Sequence, residues 1–435
     1  MKYLLILVLL VAAAFGGLLA LSHHTDLKVP PELKVVGSET PMSITVDNAS
    51  GIKRLTVYLE QNGQRYPIYE QKGEAHRFGF WRHKQAPQEV KFTAGQKQAA
   101  AVKEGKAKLV VAADSADLRG STDEISRDIE VILRPPSVSA DGFQHYINQG
   151  GCELVTFTLG GYWTEAGVRV GKHTFRSFPM PGGKENERFS LFAFTWDTPV
   201  DTVPVVYARN PAGSEVTARF WFKIFPKPFR KRDLDLADSF LQKVVPEIDP
   251  QGSGDLLPRF LKINGDLRRE NNKVIADLRL KTAEKFLWTG PFQQLGNSKV
   301  ESQFADTRSY MYQGKKVDEQ THLGFDLSVT QHVGVAASND GIVVWADRLG
   351  IYGNCIVVDH GYGLQSIYAH LSEIGVKPGE AVKRGQIMGK SGATGLAGGD
   401  HLHFSMQVDG VQVNPVEWWD EHWIKDRVLS KMPKT

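Results

Sequence analysis

"GATGLAGGDHLHFSM", residues 392–406, runs from a glycine-rich turn into a short alternating segment in which His401 and His403 are separated by one residue. Side chains two apart on a β-strand point to the same face, so both imidazoles can look into one groove. Upstream, "THLGFD" carries His322 and Asp326, and "SIYAHLS" carries His370. Seven of the thirteen histidines fall between His322 and His422, which marks this Gly-punctuated segment as the place to seek chemistry. Neutral imidazoles and a carboxylate suit zinc, and a catalytic zinc takes three protein ligands and keeps a fourth position for water. Two histidines and one acid from separate elements satisfy that rule and leave two histidines over.

Other chemistries lack their residues. No His-Glu-x-x-His helix, Gly-x-Ser-x-Gly elbow or Cys-x-x-Cys pair occurs. The glycines of "GVKPGEAVKRGQIMGKSGATG", 375–395, do not have P-loop spacing and are accounted for by tight β-turns. His360 in "VVDHGYG" reads as a turn-stabilising hydrogen bond, His332 has no assigned role, and the tryptophans around His422 read as core cover. Tyr310, Tyr368 and Asn339 are candidate groove residues. Tyr368 has the better case, because two residues along a strand it faces the same way as His370.

Residues 304–419, from "FADTRSYMY" through "THLGFD" and "SIYAHLS" to "GDHLHFSMQVDGVQVNPVEWW", resemble the catalytic domain of the M23 zinc peptidases of the lysostaphin and LytM type. Those enzymes cut cross-bridges or stem peptides of peptidoglycan. The motifs stand in family order, with the intervening glycine pattern intact. The resemblance implies one Zn2+ per chain, held by His322, Asp326 and His403, with His401 and His370 as two unligated histidines beside it. In that frame His401 is expected to act as general base and His370 as oxyanion or substrate donor, although either could serve as the base. The implied activity is a zinc metalloendopeptidase with peptidoglycan as substrate and an envelope regulatory protein as a further partner. Two other readings stand beside it: a non-hydrolytic zinc-binding envelope protein that regulates another wall hydrolase, and an exported metallopeptidase acting on proteins or peptides.

The remainder of the chain sets the frame. Its 435 residues are 41% hydrophobic and 23% charged, enough for several cores, and a net charge of +3 speaks against a nucleic-acid partner. The apolar run from Tyr3 to Leu21 makes residues 1–22 a transmembrane anchor or a signal peptide. The expected location is therefore periplasmic, tethered to the inner membrane, or secreted after cleavage. Residues 36–135 alternate in the manner of an immunoglobulin-like β domain, and 136–230 repeat the style as a second β-sandwich-like domain. After Arg232 the apolar spacing changes to three and four, so 231–300 reads as a helical connector, with Asp238 and Asp255 near helix starts. An antiparallel β-sheet peptidase domain over 301–420 and a tail over 421–435 complete a mainly β chain. Cys152 and Cys355 read as small buried apolar residues.

Overall fold

The structure, a computed structural model, describes residues 2–20, 22, 24–74 and 84–433 and is mainly β. It forms two compact units, one of Met1–Ser137 with Gly161–Glu165 and Arg209–Val216, the other of Val138–Gly160, Ala166–Ala208 and Thr217–Thr435. The N-terminal apolar run folds as helix α1, Lys2–Ala20, whose 19 residues reach roughly 28 Å at 1.5 Å each, against about 30 Å of bilayer hydrocarbon. Among the described residues no helix is long and apolar enough to cross a membrane, so the expected membrane anchor is unsupported.

Strand alternation builds the first unit. Thr40–Asp47 lies between Asp26–Lys28 and Gln88–Ala94 in one sheet, and Gly105–Ser115 lies between Ile52–Gln61 and Thr122–Val131 in another. Their inward side chains, among them Ile44, Leu55, Val57, Leu109 and Val111, share one core. Pairing starts at Asp26, ten residues ahead of the boundary read from the sequence.

The second unit departs further from the sequence reading, because three segments read as separate domains share buried contacts. Lys231–Asp235 (β1), read as the start of the helical connector, is a strand that runs parallel to Asp306–Tyr312 (β2). Strand β2 in turn pairs antiparallel with Lys315–His322 (β3). Beyond them lies an antiparallel sheet of Phe325–Ser328 (β4), Gly341–Arg348 (β5), Asn354–Asp359 (β6), Leu364–Leu371 (β7) and Leu402–Val408 (β8), in spatial order β4-β8-β7-β6-β5. Helices Asp238–Ile248 (α2), Leu256–Lys262 (α3) and Arg268–Asp277 (α4) lie on one face. Their Leu241, Val244, Phe260 and Ile275 join Cys355, Val357, Ile367 and Ala369 in a single core. Periodicity identified these helices correctly, but they are a layer of the domain instead of a connector, and within 231–300 helical structure ends at Leu280. Strand β7 is buried at all eight positions, as a strand covered on both faces must be.

The second β-sandwich-like segment is tied to the same body. Arg176 donates through Nε to Asp409 Oδ1 at 2.7 Å, and its backbone N–H donates to Oδ2 at 2.7 Å. Glu417, in the short helix Val416–Trp419 (α5), accepts from Asn148 Nδ2 and the Cys152 N–H, both at 2.8 Å. Residues read as a C-terminal tail form helix Glu421–Arg427 (α6) and then bury Lys431. The Lys431 ammonium donates to Glu153 Oε1 (2.7 Å), the Leu154 carbonyl (2.8 Å) and His145 Nδ1 (3.0 Å). A hydrophobic reading could not find this tether, because its parts are single polar side chains far apart in sequence.

Candidate metal centre and catalytic cavity

Register assembles the centre. Asp326 on β4 stands directly opposite His403 on β8, and His403 stands opposite Ala369 on β7. His322 closes β3 just before the Leu323–Gly324 turn that leads into β4. His322 Nε2 and Asp326 Oδ1 are 2.9 Å apart, His322 Nε2 and His403 Nδ1 2.9 Å, and His403 Nδ1 and Asp326 Oδ1 3.1 Å. All three residues are buried.

The protons on the far sides of these rings decide what the triangle can hold. His322 Nδ1 lies 3.1 Å from the Gln303 carbonyl, which can only accept, so Nδ1 carries the proton and Nε2 presents a lone pair. Two acceptors, Nε2 of His322 and Oδ1 of Asp326, therefore face each other at hydrogen-bond distance, an arrangement that calls for a cation between them. The edges are slightly shorter than the roughly 3.3 Å edge of a tetrahedron with zinc-like bonds of about 2.0–2.1 Å. Two imidazoles and one carboxylate are also the donor types zinc takes, so these residues fit the expected metal. Asp326 Oδ2 is held by Arg308 at 2.7 Å, which leaves Oδ1 to the donor triangle. Where no cation sits between these donors, protons on His322, His401 and His403 take its place, and although burial opposes the Asp326 charge, the charge on His322 and hydrogen bonds from those protonated rings then hold its carboxyl well below the usual range.

Gly324 explains why the turn between the two motif residues is open. A Cβ there would lie 2.7 Å from His403 Cε1, Nε2 and the Phe404 carbonyl, so the ring of His403 rests against a bare backbone. His403 Nε2 is buried in that contact without a hydrogen-bond partner.

His401 and His370 flank the triangle, their ring centroids 4.9 Å apart. His401 Nδ1 donates to the Gly399 carbonyl at 2.9 Å, which leaves Nε2 bare and 3.5 Å from Asp326 Oδ1. His370 Nδ1 donates to the Thr394 carbonyl at 2.8 Å, so its Nε2 is also an acceptor in the neutral ring. The donor role expected for His370 thus needs a second proton. Burial, then the like charges of His401 and His403, push it well below the ordinary histidine value in the metal-free chain.

His370 also corrects the expectation for Tyr368. Its φ is +63°, and between Tyr368 and Leu371 strand β7 carries one residue more than its partner β6. That bulge breaks the two-residue alternation. Tyr368 consequently points into the core, 1% exposed, where its hydroxyl accepts from the Ser338 N–H and the Ser366 hydroxyl. Asn339 is buried as well, its amide donating to the Gly290 carbonyl, so neither residue lines the cavity. Tyr310 does line it, together with the five motif residues. His360 bonds the Asp340 carbonyl and Ser366, and burial lowers it to about 4, in keeping with a structural role. His332 and His422 are exposed, His332 within hydrogen-bond reach of Ser372 and His422 paired with Asp426.

The cavity has a volume of about 240 Å3, and residues far upstream complete its wall: Arg232 and Leu234 from β1, Phe240 from α2, and Arg268 and Asn272 from α4. Sequence reasoning missed these and Arg308. The alternation of β1 and β2 was the available signal, since Arg232 pairs with Arg308 and Leu234 with Tyr310.

Residues 320–415 match the sequence profile of peptidase family M23. The DD-carboxypeptidase/endopeptidase Mpg of Neisseria meningitidis serogroup B is 39% identical over 95 residues, which are 22% of this chain and 22% of that protein. Peptidoglycan DD-endopeptidase ShyA of Vibrio cholerae is 41% identical over 96 residues, again 22% of each. The matched part thus spans about a fifth of the length of these curated relatives. Among solved structures, the catalytic domain of lysostaphin from Staphylococcus simulans is similar at 28% identity over 32% of this chain and 94% of that one, with a TM-score of 0.21. A zinc containing peptidase from Vibrio cholerae is similar over 90% of this chain and 84% of that one, at 14% identity and a TM-score of 0.26. Residues 320–415 thus form a peptidase M23 domain within the longer chain.

Proposed function

We propose that the chain is a zinc-dependent endopeptidase that hydrolyses peptide cross-links or stem peptides of peptidoglycan in the cell envelope, in a periplasmic location. The observation that carries this reading is one cavity in which three donor atoms within 3.1 Å of one another are flanked by two histidines of fixed tautomer. The names of Mpg and ShyA, a DD-carboxypeptidase/endopeptidase and a peptidoglycan DD-endopeptidase, support the substrate class.

His322, Asp326 and His403 would hold the zinc, which when bound supplies an acidified water and a polarised amide carbonyl. The protein's own groups manage the protons. His401, its Nδ1–H anchored on Gly399, offers Nε2 to the water's proton and can return that proton to the leaving amine. His370, anchored on Thr394, is the second acceptor, and once protonated it can donate to the oxygen on which negative charge develops. Arg308 fixes the orientation of Asp326 without touching the donor triangle.

The test pairs zinc content with a digest of purified peptidoglycan by the full chain. His401→Ala keeps zinc and loses new stem-peptide ends, with kcat/KM down about 10²–10⁴-fold. His403→Ala loses both. Cleavage that survives His401→Ala at the wild-type rate refutes the assigned base, and a zinc-loaded wild type that releases no ends refutes the endopeptidase reading.

A further inference from the structure

The charge balance of the cavity wall is unexplained by metal binding. Arg232, Arg268 and Arg308 all line it, and Asp326 is the sole acid among its lining residues. Arg308 is accounted for, since it pairs with Asp326. Arg232 and Arg268 are not. Arg232 donates through Nη1 to the Glu301 backbone carbonyl at 2.8 Å, while the Glu301 carboxylate is paired with Lys299 at 2.9 Å. Arg268 donates through Nε and Nη2 to the carbonyl and side-chain oxygens of Asn264. Neither makes a direct ion pair among the described residues, although the charge of Arg232 contributes to lowering the neighbouring Glu301 carboxyl.

Their placement is specific. Parallel register sets Arg232 on β1 directly opposite Arg308 on β2, which puts two guanidiniums on one face of neighbouring strands. Like charges opposite each other in a sheet are destabilising. Arg268 approaches from α4, well inside a helical run that continues unbroken from Leu256. A bound dication would add to the positive field. Such a wall is costly without an anion and well suited to one, because guanidinium forks bind carboxylates bidentately.

We propose that Arg232 and Arg268 are a carboxylate-binding wall of the catalytic cavity, so that the substrate is a peptide bearing a free carboxylate close to the scissile amide. This rests on the peptidase reading above and deepens it. The carboxylate can come from the peptide's own C-terminus or from an acidic side chain beside the cleaved bond; both present the same planar anion. Both arginines lie outside residues 320–415, the stretch that matches the M23 profile.

The experiment uses the zinc-loaded full chain and a synthetic stem-peptide dimer in three forms: all carboxylates free, the terminal carboxylate amidated, or the side-chain carboxylate amidated. One amidation is expected to raise KM about tenfold or more, and which one identifies the source of the anion. Arg232→Gln with Arg268→Gln should raise KM on the free form by a similar factor, leave kcat within about threefold, and have no effect on the form whose relevant carboxylate is already amidated. Equal losses on all three forms, or no loss on any, overturn the proposal. If the wild type cleaves none of the forms, the peptidase reading fails separately. Calorimetric binding of the free and amidated peptides to the same zinc-loaded chain then decides the wall: tighter binding of a free form that vanishes in the double variant supports it, and equal binding overturns it.

Discussion

Replacing Lys431 with Met should destabilise the second unit far more than its place in an apparent tail suggests. The Lys431 side chain is 3% exposed and that of Glu153 is 0% exposed. The ammonium makes three hydrogen bonds, to Glu153, Leu154 and His145, and His145 Nε2 passes the network on to Asp141 at 2.9 Å. Met fills similar volume but leaves the Glu153 carboxylate buried with only the Leu154 N–H as donor. Breaking a buried pair from one side costs about 3–5 kcal/mol. At roughly 2–4 °C per kcal/mol for a domain of this size, the unfolding transition should fall by about 6–20 °C. Burial already raises the Glu153 carboxyl above its ordinary value, and loss of Lys431 removes its main opposing influence. A carboxyl whose folded value exceeds its unfolded one stabilises the fold at low pH and loses that contribution as pH rises. The deficit of Lys431→Met should therefore shrink as pH falls from 7 toward the ordinary carboxylate value of 4.5. Thermal or urea unfolding of both single variants and of Lys431→Met with Glu153→Gln forms the cycle. The double variant should recover at least half of the Lys431→Met loss; strict additivity, or a shift below about 1 °C in Lys431→Met, would refute the reasoning.

Three further outcomes follow from the geometry. Gly324→Ala should weaken zinc binding about tenfold or more by displacing His403, read by competition with a chromophoric chelator. Glu417 is pushed up by burial to about 7, against 4.5 in the unfolded chain. Its contribution is thus present below pH 4.5 and lost on the way to pH 7, about 3 kcal/mol in all, and Glu417→Gln should flatten that part of the stability profile. Asn271 Oδ1 accepts from the Ile351 N–H at 2.9 Å where α4 meets the cavity loop, so Asn271→Ala should cost about 1–3 kcal/mol in urea unfolding by leaving that buried N–H unpaired.

The centre was legible because its geometry follows from strand periodicity. His401 and His403 two apart, and His322 and Asp326 four apart across a tight turn, need only a sheet to bring them together. His370 was found, but its orientation was not, because a bulge with a positive φ leaves no mark in an alternating pattern. The carbonyls of Gln303, Thr394 and Gly399 that set the tautomers belong to the backbone, and any residue type supplies one. Arg232 and Arg268 were passed over because their place in the cavity wall follows only from the pairing of β1 with β2 and from the position of α4 beside the cavity. The helices were legible as helices from Leu241, Val244 and Val245, yet nothing in their spacing shows that their apolar face meets β6 and β7.

The Lys431–Glu153 tether also sets a clock on biosynthesis. The two residues are 278 positions apart, so at 5–20 residues per second a ribosome completes Glu153 about 14–56 s before it reaches Lys431. Through that interval the sandwich strand Cys152–Gly160 has no cation for its acid, and only the last helical turns of the chain bring the ammonium that matches it.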